Sequence, residues 1–435
     1  MVKKHMKAFE ELESEVRTYI RSFPAVFERA RGHELVDENG KSYIDFLAGA
    51  GALNYGHNDP RLKRSLREYF DGDGIIHSLD MATTAKRKLL ERLDEVILKP
   101  RGLDYRVQFP GPTGTNAVEA ALKLTRKVTG RTKVYGFEGG FHGMTLGSLS
   151  ITSNSSKRDG AGVLLTDTAL LPYFGQTRDG MDSLRYLEWR LTRDAQRNDL
   201  PASIILETVQ CEGGVNVASF DWLERVAQLA ASHGVLLIVD DIQAGCGRTG
   251  PFFSFDDAGL EPDVVCLSKS LSGLGLPLAL VLFKRELDVW EPGEHNGTFR
   301  GHNPAFVTAT EALGYWEDDA LRDAIERKAS LVEERLEGIA AEYPEAEIEV
   351  RGRGLIQGLA MGVVDLACEV SRCCFERGLV IETAGHHDEV LKFLPPLTIE
   401  DGALVEGLDI VEASLQVALA ARDTRARDTS IAVSA

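Results

Sequence analysis

The sequence predicts an α/β fold, with a large domain on a mostly parallel sheet followed by a smaller α+β domain. Two observations carry this. Between about residues 56 and 314, apolar runs of strand length at 203–206, 235–239, 264–267 and 278–283 alternate with helical patterns such as 82–98 and 222–233. Past residue 315 the alternation gives way to a long amphipathic helix and short alternating strands.

In chain order, residues 1–55 form an N-terminal segment expected to pack with the small domain. It has a helical start and a strand-turn-strand pattern over 34–46, with Asn39-Gly40 as the turn. Residues 56–314 are the large domain. Residues 315–421 are the small one, with a helix over 319–342, strands at 346–350 and 355–359, a helix over 365–377 and a strand at 379–381. The polar end, 422–435, is expected to be a mobile tail. No Gly/Ser- or Pro-rich linker separates the parts, so they should pack tightly.

Composition narrows the function class. With 435 residues and 43% hydrophobic content the chain can bury a large core. Its formal charge of −18 is spread without blocks of like charge, which argues against a nucleic-acid partner. Most of the six cysteines lie in apolar runs, and no Cys-x-x-Cys or Cys/His ligand spacing occurs. They read as reduced core residues of a cytoplasmic protein, and no metal is expected. The start, residues 1–5, leads into a charged helical pattern rather than an apolar signal-peptide core. No apolar stretch reaches membrane-spanning length.

In a parallel sheet, binding groups collect beyond the strands' C-terminal ends. Two charged residues are placed there. Lys269 follows the run 264–267, and Asp240 closes the run 235–239. A lysine in a partly desolvated pocket loses its proton more readily than one in water, and the free amine can condense with the aldehyde of pyridoxal phosphate. A carboxylate against the pyridine nitrogen keeps it protonated, so the ring can accept electrons from a departing substrate proton. Either residue alone is better explained as a snorkelling lysine or a helix-capping aspartate. Together, in this order and context, they suit a pyridoxal phosphate site.

Gly111-Pro112-Thr113-Gly114-Thr115-Asn116, just before a helical pattern, supplies a phosphate cradle. Small residues admit the phosphate, Thr113 and Thr115 offer hydroxyls, and the helix start offers free N–H groups. By itself it would be an ordinary helix cap, and it is no P-loop, since no Gly-Lys-Ser/Thr follows. Further on, Gly139-Gly140-Phe141-His142-Gly143 allows a tight turn that can point Phe141 at a flat cofactor face, with His142 behind it. Core packing is the alternative for Phe141.

Over nearly its whole length the chain resembles the fold-type I, class III (ω-amino-acid) aminotransferases. The motif Val239-Asp240-Asp241-Ile242-Gln243-Ala244-Gly245-Cys246-Gly247-Arg248-Thr249-Gly250 is similar to the class signature. There the aspartate meets the pyridine nitrogen and the glutamine approaches the cofactor's phenolic oxygen. The segments 267–273, 206–210 and 291–301 resemble the branch of that class at work in ectoine synthesis.

That resemblance implies further roles. Thr298 matches a threonine that reaches the cofactor phosphate of a neighbouring subunit, which implies a homodimer or higher homo-oligomer with shared active sites. Glu207 matches an acidic gate residue that can pair with a basic side chain; a structural salt bridge is the alternative. Lys392 stands where many members have an arginine, and lysine cannot form the bidentate carboxylate fork. Cys211 and His302 also depart from the usual residues. The implied reaction moves the amino group of L-glutamate to L-aspartate 4-semialdehyde, with Lys269 as covalent anchor and general acid/base. An ornithine or 4-aminobutyrate aminotransferase would share these residues, and a non-catalytic cofactor-binding regulator is a remoter alternative.

Overall fold

The computed structural model of the chain describes residues 6–433, with side chains described to residue 424. Residues 1–5 lie outside it, as do the last two residues of the expected tail. Seven strands form the main sheet: β1 (Tyr105–Gln108), β2 (Val134–Phe137), β3 (Thr168–Leu171), β4 (Ser203–Leu206), β5 (Leu236–Asp240), β6 (Val264–Leu267) and β7 (Leu280–Lys284). Their order is β1-β7-β6-β5-β4-β2-β3. Pairing is parallel from β3 through β2, β4 and β5 to β6, and β7 runs antiparallel to both of its neighbours.

Every residue of β2, β4 and β6 is buried, as a sheet covered on both faces requires. On one face the helix Gly114–Thr129 buries Ala117, Val118, Ala121 and Leu124. Small side chains there let the helix lie close to the strands. Its start is fixed by a capping box between Thr113 and Asn116, and its end by left-handed Gly130. On the other face the helix Phe220–Ser232 begins at Ser219, whose hydroxyl accepts from the Trp222 N–H at 3.2 Å. Trp222 packs edge-on to Phe137 and Tyr173.

The C-terminal part holds an antiparallel four-stranded sheet in the order Ile348–Arg353, Ile356–Met361, Val390–Phe393, Glu382–Ala384. The helices Ala320–Glu342, Leu366–Glu376 and Asp401–Val433 accompany it. The last of these continues through the segment expected as a tail, and Arg422 Nε donates to Glu369 Oε2 at 2.7 Å. Leu404, Leu408, Val411 and Leu415 are its buried stripe.

The N-terminal strands Phe27–Arg31, Glu34–Asp37 and Ser42–Asp45 form a meander. Ser42–Asp45 then pairs in parallel with Leu379–Val380, so the first and last parts of the chain share a sheet. Arg248, fully buried, ties three segments together. Its guanidinium donates to the carbonyls of Leu355 (2.9 Å) and Pro395 (2.6 Å) and to Asn54 Oδ1 (2.6 Å). No helix among the described residues is long and apolar enough to cross a membrane.

Candidate active site

β5 and β6 are parallel neighbours, with Asp240 opposite Cys266, so β5 ends on Asp240 as β6 runs on toward Lys269. Both side chains line one cavity of about 170 Å³, together with Gly114, Thr115, Phe141, His142, Glu207, Glu212 and Gln243. Of the ten residues singled out from sequence, eight meet there.

Lys269 opens the short 3-10 turn Lys269–Ser272 with φ +51°, a left-handed conformation that costs a non-glycine residue about 1–3 kcal/mol. Its neighbours hold it there. Ser268 Oγ donates to the Leu278 carbonyl at 2.8 Å, and Ser270 Oγ donates to the Gly51 carbonyl at 2.6 Å while accepting from the Asn54 N–H. Burial drives the Lys269 amine toward its neutral form; the charge of Glu212 opposes this and that of Lys392 adds to it, with a lowered pKa as the outcome.

Asp240 accepts from His142 Nδ1 at 2.7 Å through Oδ2 and from the Ile242 N–H at 3.2 Å through Oδ1. A carboxylate with one donor on each oxygen has lone pairs left for another, such as a pyridinium N–H. Burial disfavours charge on His142, but the hydrogen bond and charge of Asp240 outweigh it and raise its pKa.

The cradle lies across the cavity lining from these groups in sequence but adjoins them in space. Gly114 and Thr115 are the first two residues of their helix, so their N–H groups have no intrahelical acceptor. Thr115 Oγ1 lies 2.8 Å from Thr145 Oγ1. Gly143 has φ +128°, and a Cβ there would come within 2.4 Å of Thr115 Oγ1. These features fit the phosphate end of pyridoxal phosphate, and Lys269 and Asp240 fit its aldehyde and its ring nitrogen. Gln243 Nε2 donates to the Ala50 carbonyl (2.7 Å) and to Glu212 Oε1 (3.2 Å).

The acidic residues are arranged differently from expectation. Glu207 is buried and accepts from the Phe141 N–H at 2.9 Å, and burial raises its pKa to about 8. The acid that pairs with a basic side chain is Glu212, whose Oε1 receives Lys392 Nζ at 2.7 Å. Lys392 is fully buried and also lies 3.0 Å from Glu382 Oε1. It sits behind Glu212, outside the cavity lining, and its charge is already matched by two carboxylates. Within this chain, Lys392, expected as a substrate contact, is not among the residues lining the cavity. Lys392 and Lys269 together overcome the effect of burial and bring the Glu212 pKa down to about 2. Glu212 had no local signal in the sequence, because its pairing with Lys392 is tertiary.

Thr298 is not brought to the cavity within this chain. It starts the 3-10 turn Thr298–Arg300, and its carbonyl lies 2.8 Å from His77 Nε2. Cys211 and His302 also lie outside the lining.

The class-III aminotransferase family matches residues 17–415. Diaminobutyrate–2-oxoglutarate transaminase from Halalkalibacterium halodurans is 57% identical over 411 residues, which is 94% of this chain and 96% of that protein. The enzyme of the same name from Bordetella parapertussis is 57% identical over 416 residues, 95% of this chain and 96% of its own. Among solved structures, ornithine aminotransferase from Toxoplasma gondii superposes with a TM-score of 0.84 at 26% identity, covering 98% of this chain and 96% of that one.

Proposed function

This chain belongs to the class-III aminotransferases, with pyridoxal phosphate as cofactor, and we propose that it moves the amino group of L-glutamate to L-aspartate 4-semialdehyde. The products are 2-oxoglutarate and L-2,4-diaminobutyrate, as in ectoine synthesis. The observation that carries the choice of substrates is the 57% identity to transaminases of that name over nearly the whole chain.

Pyridoxal phosphate, when bound, supplies an aldehyde that holds the amino group between the two substrates and a ring that takes up electrons as a proton leaves. Gly114 and Thr115 would hold its phosphate, Asp240 its ring nitrogen, and Phe141 and Gln243 its ring. Lys269 Nζ, whose pKa burial lowers, takes the proton from the amino-bearing carbon of the donor. In the return direction it delivers a proton to the carbon of the acceptor. Asp240, braced by its hydrogen bond to His142, would face the ring nitrogen. Glu212, tied to both Lys392 and Gln243, stands at the wall where substrate enters and takes the gate role expected of Glu207.

A second copy of the chain completes this reading. Ile76 (47% exposed), Met81 (59%) and Phe299 (67%) present apolar surface around Thr298, and Met144 (53%) does so beside the phosphate cradle. A homodimer would cover this surface and carry each Thr298 to the other's phosphate. All six cysteines are free, which supports a cytoplasmic setting.

The test is product identification from purified enzyme supplied with glutamate and aspartate semialdehyde, beside ornithine and 4-aminobutyrate as competing donors. Diaminobutyrate formation with the highest kcat/KM supports the assignment. A clear preference for either competitor would replace it.

A further inference from the structure

A second cavity, of about 420 Å³, adjoins the first and shares Phe141 and Glu212 with it. A Cβ on Gly213 would come within 2.2 Å of the Gly139 carbonyl, so these two loops pass backbone to backbone. Phe141 and Glu212 stand where the two cavities meet.

The charges on its wall are unequal in how they are used. Glu138 is paired with Arg178, Glu212 with Lys392, and Arg351 with Glu349. Lys157 and Glu389 also line the cavity, and neither has an ion pair among the described residues. Lys157 Nζ lies 4.5 Å from the centroid of the Phe141 ring, so its charge is held at the junction of the two cavities. Glu389 Oε2 accepts from the His387 N–H at 2.8 Å, and its carboxylate packs on Gly385, where a Cβ would come within 2.5 Å. One uncommitted cation and one uncommitted anion therefore face the same space.

We propose that Lys157 and Glu389 form a seat for an α-amino-acid head group, Lys157 taking the carboxylate and Glu389 the ammonium. This rests on the proposed function, because aspartate 4-semialdehyde and diaminobutyrate react at one end and carry that zwitterionic head at the other. The seat distinguishes them from substrates of the same length that end in a carboxylate alone. Opposite charges in fixed positions select by the cost of leaving one of them unmatched.

The test compares two donors that differ only in the α-ammonium, L-2,4-diaminobutyrate and 4-aminobutyrate. Each is mixed with the holoenzyme without acceptor, and the cofactor absorbance change is followed against donor concentration. Lys157→Gln should raise the half-saturating concentration of both donors about tenfold with little change in limiting rate. Lys157→Arg should restore most of it. Glu389→Gln should raise the value for diaminobutyrate alone, again about tenfold. Equal effects of Glu389→Gln on both donors, or no effect of Lys157→Gln on either, would overturn the seat. A wild-type enzyme that accepts 4-aminobutyrate and not diaminobutyrate would overturn the proposed function and the seat with it. Normal wild-type use of diaminobutyrate with unresponsive variants would overturn the seat alone.

Discussion

Two buried groups of charge flank Lys269, and they are built on different terms. On one side Asp240 and His142 make a closed pair, in which the carboxylate accepts from Nδ1 and raises the His142 pKa. On the other, one cation, Lys392, is shared by two carboxylates, Glu212 and Glu382. Glu382 lies within ion-pair distance of Lys392, yet its Oε1 has no hydrogen bond of good geometry, and burial raises its pKa. The first group is suited to hold one fixed charge against a cofactor. The second gathers two acids around one cation.

The largest effect should come from Lys269 itself, the residue between the two groups. Lys269→Ala should leave a folded protein that still binds cofactor noncovalently, with turnover reduced by at least about 10³-fold. Steady-state assays and a cofactor absorbance spectrum would show this. Appreciable multiple turnover by the variant would refute its role.

Next comes the closed pair. Asp240→Asn should slow the proton shift roughly hundredfold, as loss of a preorganised charge does elsewhere. It should also lower the His142 pKa, since Asp240 is what raises it. A pre-steady-state rate near wild type, or an unmoved His142 titration, would dissolve the comparison.

The shared cation should matter more for stability than for chemistry. Lys392→Met leaves two buried carboxylates without a counter-charge, and breaking a buried pair in this way costs about 3–5 kcal/mol. Urea denaturation would measure it. Acid should also distinguish wild type from variant. The folded-state pKa of Glu212 is depressed to about 2 from 4.5, so its contribution is present above 4.5 and is lost as pH falls toward 2. In the Lys392→Met protein that acid-side loss should disappear.

Glu207 should act in the opposite sense. Its folded-state pKa is raised to about 8 from 4.5, so protonated Glu207 contributes fully below 4.5 and the contribution is lost as pH rises to about 8. Glu207→Gln should flatten the pH dependence of stability over that window. An unchanged profile would mean that the carboxyl is already ionised in the folded protein.

The same contrast explains what could be read in the sequence. Lys269 and Asp240 end apolar runs that mark buried strands, and Gly114, Thr115, Phe141, His142 and Gln243 lie in short glycine-bearing motifs near strand ends or helix starts. Local pattern is enough to place such residues near a parallel sheet's C-terminal edge. Glu212, Glu382 and Lys392 meet only through tertiary pairing, because Glu212 follows a two-residue strand while the other two sit on adjacent strands of another sheet. No local pattern announces that meeting. Strand β3 was obscure for another reason: three of its four residues are only partly buried. The helix Asp401–Val433 buries a leucine-and-valine stripe along its apolar first half and turns mostly polar from Arg422.

Lys269 is the amine expected to meet the cofactor aldehyde. Borohydride reduction of the holoenzyme, followed by peptide mass mapping, reads this directly. The expected result is the reduced cofactor's mass on the peptide containing Lys269 and on no other lysine. Stable labelling at Lys157, Lys392 or any other lysine, with the Lys269 peptide unmodified, would contradict it.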